Sequence, residues 1–187
     1  DLTFALMLAT ARRVVEAAEA VRTGQWRTSR TTWLIGKDVW GATLGIVGMG
    51  RIGTAVARRA KGFGMRVLYH NRSQTPEAAD LGAQWVEMDE LLAQSDFVSL
   101  HCPLTPETTG LVDEAFLRRM KPTAIFINTA RGPMVDEAAL ARALGEGWIH
   151  AAGLDVTAVE PIPLSSPLLT LPNCLVLPHL GSATVAT

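Results

Sequence analysis

Thr43-Leu44-Gly45-Ile46-Val47-Gly48-Met49-Gly50-Arg51-Ile52-Gly53 sets a short apolar run against a G-x-G-x-x-G and leads into Thr54-Ala55-Val56-Ala57-Arg58-Arg59-Ala60. The run reads as a strand, the glycines as a tight turn, and the last segment as a helix. Gly48 permits the turn, Gly50 lets backbone approach a pyrophosphate, and Gly53 lets the helix pack close to the strand. The helix start, at Arg51 and Ile52, offers unpaired N–H groups and a positive dipole end to phosphate. In this context the glycines point to a bound dinucleotide.

Outward from this turn, strand and helix patterns alternate. Apolar runs at Thr43–Val47, Arg66–Tyr69, Phe97–Leu100, Ala124–Asn128, Ala151–Leu154 and Cys174–Leu177 read as strands. Helical stretches lie at 52–62, near 76–82, and at 88–93, 113–119 and 136–145. Strands apolar on both faces with helices between them predict a parallel sheet covered on both sides. Right-handed crossovers make it the doubly wound α/β, or Rossmann, sheet. Ligands of such sheets sit at the carboxyl ends of the strands.

Ahead of the sheet, residues 3–22 read as one long helix, with Thr3 as its cap and Gly24 after its end. Its first half is apolar nearly all round. Its second half sets Val14, Ala17, Ala18 and Val21 against Arg13, Glu16 and Arg22, and needs cover from another domain or subunit. A loop with Trp26, Trp33 and Trp40 follows. Either it presents a contact surface, or the rings cap the sheet end. The chain of 187 residues carries a net charge of −1 with its basic residues dispersed, which speaks against a nucleic-acid or anionic membrane partner. No apolar run is long enough to span a bilayer, and no segment reads as a signal peptide. Cys102 and Cys174 lack metal-ligand spacing and read as buried thiols, so no metal and a cytoplasmic setting are expected. Asp1 in place of Met, and an ending inside what reads as a helix start at Gly181-Ser182-Ala183-Thr184, make the chain read as a piece of a longer protein.

The end of the second strand decides which dinucleotide. A carboxylate about 20 residues after the glycines would hold a ribose 2′-hydroxyl. Here Arg66-Val67-Leu68-Tyr69-His70 is followed by Asn71-Arg72-Ser73, with no carboxylate. Arg72, a planar bidentate donor, and the Ser73 hydroxyl suit a 2′-phosphate. NADP(H) is therefore expected over NAD(H), which remains possible. The loops after the later strands bring His101-Cys102-Pro103-Leu104-Thr105-Pro106-Glu107-Thr108, then Asn128-Thr129-Ala130-Arg131-Gly132, then Asp155 and Glu160, and finally His179 to one edge. Together they form a kit for hydride chemistry on a ketone. His179 supplies a proton to the alkoxide, Glu160 keeps that imidazole protonated, and Arg131 clamps a carboxylate and polarises its neighbouring carbonyl. Asp155 suits a nicotinamide carboxamide, and Thr108 a phosphate.

These motifs, Gly48-Met49-Gly50-Arg51-Ile52-Gly53, His101 to Thr108, Asn128 to Gly132, Ala152-Gly153-Leu154-Asp155-Val156, Glu160-Pro161 and Pro178-His179, resemble those of the D-isomer-specific 2-hydroxyacid dehydrogenases, over essentially the whole chain and in the same order. The resemblance implies catalytic roles for Arg131, Glu160 and His179. It implies a dinucleotide lined by Gly48, Gly50, Arg51, Ile52, Gly53, Asn71, Arg72, Ser73, Cys102, Pro103, Thr108, Thr129, Asp155 and Gly181. It further implies that residues 1–187 are one dinucleotide-binding domain. Residues 1–40 would be the helix and arm of a dimer or interdomain contact, and 41–180 the core. The family's substrate lobe would be absent, leaving cofactor binding without efficient turnover. The His179-Leu180-Gly181-Ser182-Ala183-Thr184 run, Asn71-Arg72-Ser73 and Leu164-Ser165-Ser166-Pro167-Leu168-Leu169 resemble the glyoxylate/hydroxypyruvate reductase branch. Reduction of such a small 2-keto acid to the D-2-hydroxy acid by NADPH, in a homodimer, is the implied activity. 2-Ketogluconate reductases look similar, so that substrate stays open. Formate and 3-phosphoglycerate dehydrogenases are further alternatives, the latter disfavoured by Asn71 where an acidic residue is usual. From another class, nucleotide-sensing corepressors of the C-terminal-binding-protein type also resemble the family, but no peptide groove is identifiable.

Overall fold

The computed structural model describes residues 1–28 and 32–185. Among these residues seven strands, all parallel, form one sheet: β1 (Thr43–Val47), β2 (Arg66–His70), β3 (Gln84–Trp85), β4 (Phe97–Leu100), β5 (Ile125–Asn128), β6 (Ala151–Leu154) and β7 (Cys174–Val176). They lie in the order β3-β2-β1-β4-β5-β6-β7. Strand order therefore reverses between β1 and β4, the crevice where such sheets take ligands. In register, Val47 stands beside His70 on one side and Leu100 on the other. The ends of the three strands thus come out together at the glycine turn.

Period-two alternation divides the core into two layers. Leu44, Ile46, Val67, Tyr69, Phe97, Ile125 and Ile127 face one side. There they meet α1 (Leu2–Ala11), α3 (Arg51–Ala60) and Ala78 of α4 (Pro76–Asp80). Leu68, Val98, Leu100, Phe126 and Leu154 face the other, against α5 (Met88–Gln94), α6 (Glu114–Arg119) and α7 (Glu137–Gly145). Phe97 and Phe126 are fully buried, and each such side chain contributes roughly 1.5–3 kcal/mol by leaving water. The sheet is thus doubly wound. β3, a two-residue edge pairing with Leu68 and Tyr69, is absent from the sequence reading because two residues carry no period.

The long helix expected over 3–22 is two helices, α1 and α2 (Val14–Arg22), broken at Arg13 with φ 52°. The break has a tertiary cause. The Ala11 carbonyl accepts the Lys37 N–H of the returning arm at 2.8 Å, so the helical ladder is interrupted there. The β-branched pair Val14-Val15 also weakens the continuation. Thr3 does not cap α1: Asp1 stands at that position, and the buried Thr3 hydroxyl pairs with Thr129 Oγ1 at 3.0 Å. Gly24 does end α2, at φ 71°, with Gln25 N–H on Ala20 carbonyl and Gly24 N–H on Val21 carbonyl, the two bonds of a Schellman motif. Val14, Val15 and Val21 are half exposed, Trp26 is 61% exposed and Trp40 74% exposed. The arm returns to the body through Lys37, whose ammonium reaches Asp96 at 3.2 Å and the Thr123 carbonyl at 2.8 Å. Burial works against the Asp96 charge, but the Thr43 N–H, Lys37 and Lys121 outweigh it and hold the carboxyl below its ordinary range. The arm residues at 29–31 and the chain end at 186–187 lie outside the described residues. Gly181–Ser182 form a turn rather than a helix start. Among the described residues no helix is long and apolar enough to cross a membrane.

Candidate active site

At the glycine turn the three glycines meet three different surroundings. Gly48 has φ 102°, and a Cβ there would fall on the Cys102 backbone. A Cβ at Gly53 would fall on the Gly48 carbonyl and press Ile46, so this glycine sets how closely α3 approaches β1. A Cβ at Gly50 would meet nothing within 4 Å. The first two are structural requirements; the third faces open space where a pyrophosphate would lie, and so the turn fits a dinucleotide. α3 has no side-chain cap and no acidic residue in its first turn, unlike α6 and α7, which Asp113 and Asp136 cap. Its N–H groups and dipole are left for an anion. Arg51 and Ile52 are exposed there.

Asn71 does something the sequence did not announce. Its Oδ1 accepts the Met49 N–H at 2.7 Å and its Nδ2 donates to Thr75 Oγ1 at 2.8 Å. The side chain braces the glycine turn from the end of β2. Arg72 and Ser73 are exposed beyond it. Across from Arg72 stands Glu107, held below its ordinary carboxylate range first by the Thr105 hydroxyl and further by the Arg72 charge. The loop that carries Glu107 ties itself down. Thr108 Oγ1 accepts the Thr105 N–H at 2.7 Å and donates to the Pro103 carbonyl at 2.8 Å, so this hydroxyl shapes the loop. Cys102 is partly buried, and burial pushes its thiol up.

The second half of the edge holds the titratable groups. His179 Nδ1 lies 2.8 Å from Glu160 Oε2. A carboxylate only accepts, so Nδ1 carries the proton and Nε2 points away from the pair. Glu160 is held below its ordinary range first by the His179 bond, which outweighs the opposing effect of burial, and further by the Thr157 N–H, the His179 charge and the Arg131 charge. Arg131 thus faces the pair, exposed, with Nη1 donating to its neighbour's carbonyl at 2.6 Å. The loop bearing Arg131 is shaped by Asn128, which accepts the Ala130 N–H and donates to the Arg131 carbonyl. A cavity of about 460 Å³ opens beside the dyad, lined by Asp155, Glu160, Ile162, Leu169, Val176 and His179 among others. A larger hollow of about 760 Å³ lies at the opposite edge, by Thr10, Arg13, His150 and Cys174, remote from this chemistry.

Asp155 sits almost fully buried at the end of β6, and each of its oxygens accepts a backbone N–H. Oδ1 accepts the Leu180 N–H at 2.7 Å and Oδ2 the Gly181 N–H at 2.9 Å, while its carbonyl accepts the His179 N–H at 2.9 Å. The sequence points it toward the nicotinamide; in the structure it grips the three residues that present the His179 ring. His179 has φ 56°, a conformation costly for a non-glycine residue. The Asp155 bonds offset that cost. Two further residues escape the sequence reading. A Cβ at Gly132 would fall on the Thr157 carbonyl, so only glycine lets the Arg131 and Glu160 loops touch. Thr157 donates its N–H to Glu160 Oε1 at 3.2 Å and its hydroxyl to Val159. The Arg131-Gly132 pair is visible in the sequence, but not the partner that makes the glycine necessary.

Fold and edge together define a doubly wound, nicotinamide-dinucleotide-binding domain. The family model for the D-isomer specific 2-hydroxyacid dehydrogenase, NAD binding domain, matches residues 4–181, and the chain belongs to that family. It is 55% identical, over its whole length, to a glyoxylate reductase of Korarchaeum cryptofilum, of which it covers 57%. It is 50% identical over its whole length to the human glyoxylate reductase/hydroxypyruvate reductase, covering 58% of it. The crystal structure of the TT0316 protein from Thermus thermophilus superposes with a TM-score of 0.93 at 53% identity, over 98% of this chain and 58% of that one. The chain thus spans rather more than half the length of these relatives.

Proposed function

We propose that the chain is the cofactor domain of an NADPH-dependent reductase of small 2-keto acids, glyoxylate or hydroxypyruvate, giving the D-2-hydroxy acid. The observation that carries this reading is the 2.8 Å His179–Glu160 pair facing Arg131, at the strand edge that also holds the glycine turn. The nicotinamide supplies the hydride when it is bound. Glu160, ionised and hydrogen-bonded to Nδ1, stabilises the imidazolium, and His179 Nε2 delivers the proton to the carbonyl oxygen. Arg131 holds the substrate carboxylate and draws charge from the carbonyl. Gly48, Gly50, Gly53 and the α3 N-terminus take the pyrophosphate. The part of the relatives' length beyond this chain would supply the rest of the substrate cleft. The exposed apolar face of α2 and the tryptophan arm would join two copies. The two free thiols fit a reducing, cytoplasmic setting.

The preference for NADP(H) rests on the absence of a carboxylate at the end of β2 and on the exposed Arg72 guanidinium beside Ser73. Steady-state assay of the full-length protein with glyoxylate and hydroxypyruvate under both cofactors tests the activity; oxidation of neither cofactor would sink it. His179→Ala is expected to abolish turnover with cofactor binding near normal. Arg72→Ala is expected to weaken NADPH binding with little change for NADH, and an equal loss for both would remove the 2′-phosphate role.

A further inference from the structure

The loops that carry Arg131 and Glu160 are joined by a side chain outside the reacting trio. α7 begins at Glu137, whose Oε1 accepts the Ala158 N–H at 2.7 Å. The preceding N–H, of Thr157, goes to Glu160 Oε1. Two successive backbone donors just before Glu160 are therefore held by carboxylates, one within the loop and one from α7. On its other edge the same peptide rests on Gly132. The segment 132–137, which starts directly after Arg131, thus holds the 157–158 peptide on both sides. Asp136 caps the Ala139 N–H at 3.0 Å, so Glu137 is presented from a fixed helix end. Its charge also reaches Cys174, whose thiol is pushed up to about 12, first by burial and then by Glu137. A carboxylate in a first helical turn ordinarily serves its own helix; this one is committed to a neighbouring loop.

We infer that Glu137 is a positioning residue that sets the Glu160 loop against the Arg131 loop through the Ala158 N–H. This rests on the catalytic reading of Arg131, Glu160 and His179. Loss of the bond frees the loop to carry Glu160 away from His179, and a displacement of about 1 Å is enough to cost up to about 100-fold in rate. The test compares Glu137→Ala with Glu137→Gln. Both remove the charge, but only Ala removes the accepting oxygen. Carboxyl-carbon NMR titration of Glu160 in the 187-residue chain gives the first readout. Deleting a nearby negative charge lowers the Glu160 midpoint, whereas loosening it from His179 raises it. The midpoint is expected to rise toward the ordinary carboxylate range in the Ala variant and not in the Gln variant. In the full-length protein, Ala should lower kcat between about 10- and 100-fold with the KM for cofactor unchanged, and Gln should restore most of it. Equal behaviour of the two variants overturns the inference, and so does unfolding of the Ala variant, which would make Glu137 a structural residue. A full-length protein inactive on every 2-keto acid overturns the catalytic reading instead, while the Glu160 titration still decides the role of Glu137.

Discussion

Acid should destabilise this domain through one histidine before it protonates the carboxylates. His101 follows β4, its ring partly covered and its Nε2 2.8 Å from the Ser99 hydroxyl. Burial lowers its pKa from 6.5 to about 4. Below its unfolded pKa, the unfolded chain binds a proton that the folded chain refuses. The stabilisation is therefore complete above pH 6.5 and is lost as the pH falls toward 4. A difference of about 2.5 pKa units at 1.36 kcal/mol each sets a ceiling of about 3.4 kcal/mol on that loss. The residue keeps some contact with solvent, so the measured loss should fall below the ceiling. His101→Gln keeps a hydrogen-bonding group near Ser99 and removes the titration. Urea unfolding at 25 °C, at steps between pH 4 and 8, gives the stability of both proteins. The parent should lose roughly 2–3 kcal/mol more than the variant across that window, on the linkage relation just used. Parallel curves for the two proteins would show that His101 protonates in the folded state without cost, and the argument from burial would fail.

Gly50→Ala should leave the melting temperature within about a degree or two, since surface substitutions without steric conflict move stability by under about 0.5 kcal/mol. It should nevertheless weaken cofactor binding at least tenfold in a fluorescence titration. Gly53→Ala should do the reverse in order of severity, costing roughly 1–3 kcal/mol in urea unfolding because its Cβ meets the Gly48 carbonyl. Asp155→Asn offers one acceptor to two N–H donors in a buried site, and should cost about 1–3 kcal/mol by the same assay. Full stability in that variant would mean that the Leu180 and Gly181 N–H groups find other partners.

The fold was readable where residue pattern and backbone demand coincide. Six of the strands, within a residue at either end, follow from apolar runs, most of them buried on both faces, and the glycine turn places the first of them. What the pattern missed depends on distant partners. The break at Arg13 exists because Lys37, more than twenty residues on, takes the Ala11 carbonyl. The apolar character of residues 3–22 is the same whether that carbonyl is taken or not. β3 is a strand only because Leu68 and Tyr69 are beside it; its Trp85 indole, bonded to the Asn71 carbonyl at 3.0 Å, shows the same dependence.

The site divides along a similar line. Residues whose chemistry is their own, such as a histidine, an arginine or a glutamate at a strand end, can be nominated from type and place. Residues that act by holding others cannot, because a buried carboxylate looks the same in sequence whether it meets a ligand or a backbone. Asp155 illustrates that ambiguity. Placed at a strand end among catalytic types, it invites a role toward the cofactor; in the structure each of its oxygens also accepts one backbone N–H, from Leu180 and from Gly181. The physical reason lies in His179, whose left-handed backbone turns the imidazole toward Glu160 and needs an anchor to stay there. An unanchored left-handed residue costs of order 1–3 kcal/mol and relaxes. A histidine held left-handed must be fixed to keep its bond to Glu160, so the strain at His179 and the buried carboxylate at Asp155 are two halves of one arrangement. Asn71 repeats the arrangement at the other end of the crevice, committing a polar side chain to the Met49 N–H to keep the glycine turn in shape.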